Sequence, residues 1–378
     1  MHSKVSEFVR ILYGKTVDPE NLDKNHVLGP ISIYTSLSLL TLGAQDTSLD
    51  ELLSLMQINS IEELTNNMSE YFRNLQANKG DCVLSSSSAI YSKETLKPEY
   101  QNACLKFFNS KAVHAPDLQT NIEKWAEEMN NFICESTNGK IQHMIEADSL
   151  KDASVFLINA MHFKAAWKDS FDGSCPHLNF NLMNGSNVEV PYLTGSKSVY
   201  YAEFPELKLK VIKKELLNCP FYVMLLLPEE VTGLKNLIKD LFTNQENAKK
   251  NFDEVFLNNM TYQNVNVDLM IPKFKLESSI ALVDSLRSLG VNQIFTLNAR
   301  LSGITNEDHM VSNIMHKATF ELNEEGVEAS AATVIKCIPL CARINKYKFR
   351  ADHPFLAAIT TNQGVPLFIG HVENPTKS

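Results

Sequence analysis

The 378 residues lack most of the signatures that commit a chain to a known chemistry. There is no GxSxG elbow, no HExxH pair and no glycine-rich phosphate loop, so an enzyme is the weakest of the functional classes. No run of 18 apolar residues occurs, which removes the usual membrane-spanning helix. Glycine and proline number only 14 each, and no repeat or low-complexity linker divides the chain, so a single domain over residues 1–378 is expected. Basic residues are also short. Against 44 Asp and Glu stand 35 Lys and Arg, a net charge of −9 that argues against nucleic acid and anionic membranes as partners.

The first 24 residues carry Glu7 and Arg10 inside their only apolar stretch, so no cleavable signal peptide is expected. The seven cysteines (Cys82, Cys104, Cys134, Cys175, Cys219, Cys337 and Cys341) are odd in number and scattered, which suits a reducing compartment better than a disulfide framework. The expected location is the cytoplasm, with release by an unconventional route left open. Sequons at Asn67, Asn184 and Asn259 point the other way, but a chain this rich in Asn, Ser and Thr reaches that number by chance. The ten histidines form no HxxxH or ligand cluster, so no metal and no cofactor are expected.

What the chain does contain is apolar residues, 44% of the total, enough for a large core. The first third reads as helical. Residues 30–56 repeat apolar positions every three to four residues, break at Gly43 and restart at a capping-box-like Thr47-Ser-Leu-Asp50. A second amphipathic stretch, 121–135 around Trp125, runs into the stop signal Thr137-Asn-Gly139-Lys. From Ser154 strands take over. VFLINAMHF (155–163), FYVMLLLP (221–228) and PLFIGHV (366–372) are nearly continuous apolar runs, as in strands covered on both faces. In VNVDLMIPKF, Val265, Val267, Leu269 and Ile271 alternate with more polar residues, the mark of a half-buried strand. The class is α+β with large sheets.

One stretch fits none of this. NEEGVEASAATVIKCIPLCAR (323–343) passes from acidic residues through four small ones to a β-branched run, then to two cysteines around Ile-Pro-Leu. A flexible linker would explain the small residues but not the β-branched ones, and alanine also favours helix.

Taken with GPISIYTSLSLLTLGA (29–44), TNGKIQHMI (137–145), LINAMHFKAAWKDSF (157–171), IPKFKLESS (271–279), HKATFELNEEGVEASAAT (316–333) and ADHPFLAAITTNQGVPLFIGHVENP (351–375), this stretch resembles the serpins, in their order and spacing. The likeness is greatest to the intracellular, ovalbumin-like branch. It implies about nine helices around three β-sheets and an exposed reactive-centre loop over about 324–345. A target serine protease would cleave that loop and form a covalent acyl-enzyme. The amino-side half of the loop would then enter the largest sheet as a new strand, in the manner of strand addition with release of stored strain.

The resemblance makes Glu324, Glu325, Gly326, Val327, Glu328, Ala329, Ser330, Ala331, Ala332 and Thr333 the hinge. The residues agree with that role: a strand sliding between two others needs small side chains on its buried face, and Val327, Ala329, Ala331 and Thr333 alternate there while Glu328 faces solvent. Gly326 lets the backbone turn in without a Cβ. Counting fourteen residues on from Gly326, as the family pattern directs, puts the reactive bond at Leu340-Cys341, a choice that expects chymotrypsin-like or elastase-like targets. The alternative bond is Arg343-Ile344, which would select trypsin-like enzymes. Cys337 and Cys341 would lie about 13 Å apart in an extended chain, too far for a disulfide, and read as surface thiols.

The resemblance further matches Ser32, Asn159 and His316 to a polar cluster beneath the central sheet, and Trp167 to the aromatic at the mouth through which the loop enters. Two positions depart from the pattern: Gly29 stands where serine usually precedes Pro30, and Ala165 where glycine usually follows Phe-Lys. Residues 62–81 carry only Arg73 and Lys79 as bases, so no strong heparin site is expected. The expected state is a monomer. The second functional class is a non-inhibitory serpin acting as carrier, chaperone or store; the small, uncharged insertion face of the hinge favours inhibition instead.

Overall fold

The computed structural model describes residues 2–76, 82–171, 175–243, 247–307, 309–327 and 346–377. Its helices are α1 (His2–Thr16), α2 (Pro30–Gly43), α3 (Asp46–Met56), α4 (Ile61–Gln76), α5 (Pro98–Phe108), α6 (Ile122–Ser136), α7 (Leu234–Phe242), α8 (Ala248–Phe252) and α9 (Val283–Ser288). Its strands are β1 (His26–Leu28), β2 (Val83–Ser92), β3 (Lys111–His114), β4 (Val155–Ala166), β5 (His177–Asn181), β6 (Asn187–Phe204), β7 (Leu209–Glu215) and β8 (Phe221–Pro228). After them come β9 (Gln263–Pro272), β10 (Phe274–Ala281), β11 (Val311–Leu322), β12 (Gly326–Val327), β13 (Tyr347–Arg350), β14 (Phe355–Thr361) and β15 (Pro366–Val372).

The strands form three sheets. The central one has the order β10-β11-β12-β4-β2-β3, the largest runs β1-β15-β14-β8-β7-β6-β9-β13, and β5 pairs with the start of β6 as a small third sheet. With nine α-helices among the described residues, this is the expected α+β architecture. The apolar runs lie where the pattern puts them: β4 is buried on both faces except at Lys164 and Ala166, and in β9 Val267, Leu269 and Ile271 are buried while Asn266, Asp268 and Met270 are more exposed.

Two helices position the central sheet. α2 starts with Pro30 at its first position, where the missing N–H costs nothing, and all its residues but Leu42 are buried. It packs against β2, β4 and β15, so it fills the space between the two large sheets. α6 covers the opposite face, with Trp125, Met129 and Ile133 packed into one cluster with Tyr91, Phe156 and Ile158. α6 ends as its sequence suggests: Asn138 and Gly139 take left-handed conformations, and the Gly139 N–H closes on the Cys134 carbonyl at 2.8 Å.

The restart after Gly43 differs from the expected capping box. α3 begins at Asp46 with Gln45 as N-cap and no side-chain cap bond, and Thr47 is exposed. The hydroxyl of Ser48 instead accepts the Arg300 N–H at 3.0 Å. The helix starts one residue before Thr47, which therefore lies inside the first turn and cannot cap it.

The central sheet contains a seam, so the place expected for a new strand in the largest sheet lies instead in this six-stranded one. β4 and β11 pair directly and in parallel from Val155 and Val311 to His162 and Thr319. Past those residues they part, and β12 fills the gap, with Val327 opposite Ala165 on β4 and opposite Leu322 on β11, antiparallel to both.

Candidate functional site: the sheet seam and its hinge

The segment expected as the hinge begins in a tight turn. Asn323 and Gly326 exchange backbone hydrogen bonds at 2.9 and 3.3 Å, while Asn323 Oδ1 accepts the N–H groups of Glu325 and Gly326 at 3.0 and 3.1 Å. Gly326 has φ +153°, and a Cβ there would lie 2.1 Å from the Ala165 carbonyl oxygen and 2.6 Å from Ala166 Cα. Only glycine fits between these strands. Val327 follows fully buried.

Trp167, at the end of β4, holds the turn in place. Its backbone N–H donates to the Glu325 carbonyl at 2.8 Å and its indole Nε1–H to the Asn323 carbonyl at 2.9 Å. Phe171 stacks edge-on to its ring at 5.8 Å, and the ammonium of Lys214 lies 5.3 Å from the ring centre. Glu324 pairs with Lys273 at 2.5 Å. Burial alone would raise the Glu324 carboxyl, but Lys273 outweighs it and holds the group below the ordinary carboxylate range.

A polar network closes the seam lower down. Asn159 and His316 are register partners on β4 and β11, and Asn159 Oδ1 accepts from His316 Nδ1 and from Ser32 Oγ, each at 2.6 Å. Asn159 Nδ2 donates to the Ser32 carbonyl at 2.6 Å and to Ser88 Oγ at 2.7 Å. Every hydrogen-bonding position of this buried amide is used, and β4, β11, β2 and α2 are joined through it. His316 Nε2 accepts the Gly29 N–H at 3.0 Å, so the ring is the neutral Nδ1–H tautomer. Complete burial pushes its pKa down to about 3. Gly29 is tightly enclosed, since a Cβ there would be 2.7 Å from Met161 Sδ. Ala165, the other departure from the family pattern, is the buried residue facing Val327.

The structure thus brings Ser32, Asn159 and His316 into one network and sets Trp167 apart, at the splayed end of the seam beside Glu324, Glu325, Gly326 and Val327. The remaining hinge positions Glu328, Ala329, Ser330, Ala331, Ala332 and Thr333, and both candidate bonds, Leu340-Cys341 and Arg343-Ile344, lie outside the described residues. Sequence reasoning missed three parts of the site: the Glu324–Lys273 pair, the Asn323 turn, and Lys317. The Lys317 ammonium on β11 donates to the His143 carbonyl at 2.8 Å and pairs with Glu277 at 2.8 Å, which ties the segment after α6 across the seam. Lys273 and His143 fall inside motifs noted in the sequence, but nothing in a charge pattern names a partner fifty or more residues away. Of the sequon asparagines, Asn184 is exposed, Asn67 half-buried, and Asn259 exposed with its side-chain N–H donating to the Asn362 carbonyl at 2.9 Å. Among the described residues no group of three or more His, Cys, Asp and Glu could hold a metal ion, and no helix is long and apolar enough to cross a membrane.

The family model for Serpin (serine protease inhibitor) matches residues 3–375. The chain belongs to the serpin family. Serpin-Z7 of Hordeum vulgare is 28% identical over 98% of this chain and 95% of its own length, and Serpin B4 of Homo sapiens 28% identical over 93% and 94%. Among solved structures, Serpin48 of Tenebrio molitor aligns with TM-score 0.87 at 25% identity over 98% of this serpin and 97% of that chain. Thyroxine-binding globulin in complex with thyroxine aligns at 0.86 (23%, 99% of both chains) and uncleaved ovalbumin at 0.84 (22%, 99% of both), likenesses of fold. The expected family and its metastable fold are therefore met, with ovalbumin among the neighbours.

Proposed function

We propose that this serpin is a suicide-substrate inhibitor of chymotrypsin-like or elastase-like serine proteases. Leu340 fills the apolar primary pocket, and the protease serine attacks its carbonyl. The Leu340-Cys341 amide breaks, Cys341 leaves as the new amino terminus, and the carbonyl of Leu340 stays on the serine as an ester. Residues from Val327 onward then enter the seam.

The observation that carries this reading is the position of β12. It already occupies the upper gap between β4 and β11, antiparallel to both, while the rest of that seam is a direct parallel pairing. A strand continuing from Val327 would exchange one parallel ladder for two antiparallel ones, which are slightly more stable per residue. A dozen inserted residues at about 1 kcal/mol net per hydrogen bond supply on the order of 10 kcal/mol, a scale sufficient to distort a protease site. Thyroxine-binding globulin shows that the fold also serves a carrier, yet its likeness to this chain is one of fold, and the uncharged face of residues 327–333 favours insertion.

Incubation with chymotrypsin and, separately, trypsin tests the proposal. The expected result is an SDS-resistant complex with chymotrypsin and a released peptide beginning at Cys341. A complex with trypsin alone and a peptide beginning at Ile344 would transfer the reactive bond to Arg343, and cleavage without any complex would assign the chain to the non-inhibitory class.

A further inference from the structure

Two cysteines far apart in sequence meet where the two large sheets abut. Cys82 immediately precedes β2, whose first residue Val83 pairs with Lys164 near the end of β4. Cys219 lies in the turn between β7 and β8, and that turn is bound to the same end of β4: the Leu217 N–H donates to the Ala166 carbonyl at 2.8 Å, and Trp167 bridges to Leu216. Both cysteines are therefore held against the same end of β4, near enough for each thiol to shift the titration of the other. Cys82 is buried and Cys219 half-buried, so a small oxidant reaches Cys219 first.

We propose that Cys82 and Cys219 are a redox-responsive pair that closes to a disulfide, tying the start of β2 to the β7–β8 turn beside the hinge.

The chemistry suits an attacking and a resolving thiol. Cys219 is the more accessible thiol of the two, and Cys82 and then the Phe221 backbone lower its pKa despite burial, which suits it to attack. Cys82 is pushed up by Cys219 and then by burial. With hydrogen peroxide as oxidant, the Cys219 thiolate attacks one peroxide oxygen. The O–O bond breaks, the sulfur becomes a sulfenic acid, and the departing hydroxide takes the proton that Cys219 gave up and leaves as water. The Cys82 sulfur then attacks the Cys219 sulfur, the S–O bond breaks, and the departing hydroxide takes the Cys82 proton as a second water. Two thiols have lost two electrons and two protons, and the peroxide has been reduced to two waters. The other described cysteines are placed differently: Cys104 is buried on α5, Cys134 is half-buried on α6, and Cys175 is half-buried ahead of β5.

Because Cys82 leads β2 and Cys219 belongs to the other large sheet, the new bond restricts the motion of one sheet against the other. It should therefore stabilise the intact fold, through the crosslink alone and with no protease present.

The test uses the full chain treated with stoichiometric hydrogen peroxide, quenched by alkylation and digested without reduction, beside Cys82→Ser and Cys219→Ser. The expected result is a Cys82–Cys219 linked peptide and a melting temperature several degrees higher than that of the dithiothreitol-treated chain. Dithiothreitol should reverse the rise, and either variant should abolish it. Oxidation confined to Cys134, Cys175 or the loop thiols, with no 82–219 peptide, would overturn the proposal. So would a linked peptide accompanied by an unchanged or lowered melting temperature. Should a variant fold poorly, the linked peptide and the reversible shift in the unmodified chain still decide.

Discussion

Val327 lies directly opposite Ala165, buried at the point where β4 and β11 separate. The small residue on β4 leaves room for a β-branched one on the incoming strand. Ahead of this contact stand the Asn323 turn, Trp167 and the Glu324–Lys273 pair. Behind it stands a closed seam stapled by Asn159, His316 and Lys317. Under the proposed mechanism the hinge is thus seated at the head of a path that is still shut.

Gly326→Ala tests the seat. The added methyl would fall 2.1 Å from the Ala165 carbonyl oxygen, so β12 must leave the gap or the strands must spread. The intact protein should lose about 1 to 3 kcal/mol in urea titration, and a larger share of the chain should be cleaved without trapping the protease. An unchanged titration curve and stoichiometry would mean that the gap is not as tight as described.

Lys317→Ala tests the staple. Loss of the bonds to His143 and Glu277 frees the segment after α6 from β11. The cost to the intact fold should be about 1 kcal/mol, and stopped-time complex formation with chymotrypsin should quicken. A slower reaction would show that the tie assists opening.

Two buried rings, His316 and His371, and the half-buried His26 predict the response to acid. Burial holds His316 at about 3, burial and then the neighbouring His371 and His316 hold His26 at about 3, and burial holds His371 at about 4. His371 Nδ1 accepts from the Tyr13 hydroxyl at 2.8 Å while Nε2 donates to the Lys24 carbonyl at 2.9 Å, so this ring too is satisfied only when neutral. In the unfolded chain each ring takes a proton near 6.5, and in the folded chain it does not. The unfolded state therefore binds more protons, and stability falls as pH drops from 6.5 toward 4, by up to about 1.4 kcal/mol per pH unit for each ring. Glu324, held low by Lys273, adds a loss in the same direction at still lower pH. Urea midpoints at pH 7.5, 6 and 5 should decline in that order. A flat series would show that these rings do not stay neutral.

Specificity and insertion should separate. Leu340→Arg is expected to exchange chymotrypsin-like for trypsin-like targets, because arginine in an apolar pocket is desolvated and unpaired but gains a charge-assisted contact where the pocket bears a carboxylate. Arg343→Ala should cost little, since with the proposed Leu340-Cys341 bond it lies past the point of cleavage. If Arg343→Ala abolished inhibition and Leu340→Arg left the targets unchanged, the bond would be Arg343-Ile344.

The strands were legible because burial on two faces leaves an unbroken apolar run, as in β4, and burial on one face leaves alternation, as in β9. The stop at Asn138 and Gly139 was legible for a local reason, since the left-handed turn favours those residues. Long-range polar pairing was not. Nothing near Ser48 reveals that its hydroxyl will meet the Arg300 backbone, and nothing near His26 reveals that His371 will stack on it at 5.8 Å. Ser32, Asn159 and His316 would read from sequence alone as unremarkable core polar residues, and only the resemblance to a family singled them out.

The inhibitory mechanism turns on whether the seam accepts the loop. Thermal melting of the chymotrypsin-cleaved chain against the intact chain measures this most directly: insertion predicts a sharp rise in melting temperature on cleavage, as a kinetically held fold relaxes. A cleaved chain that melts at the temperature of the intact one would contradict insertion between β4 and β11, and with it the inhibitory mechanism.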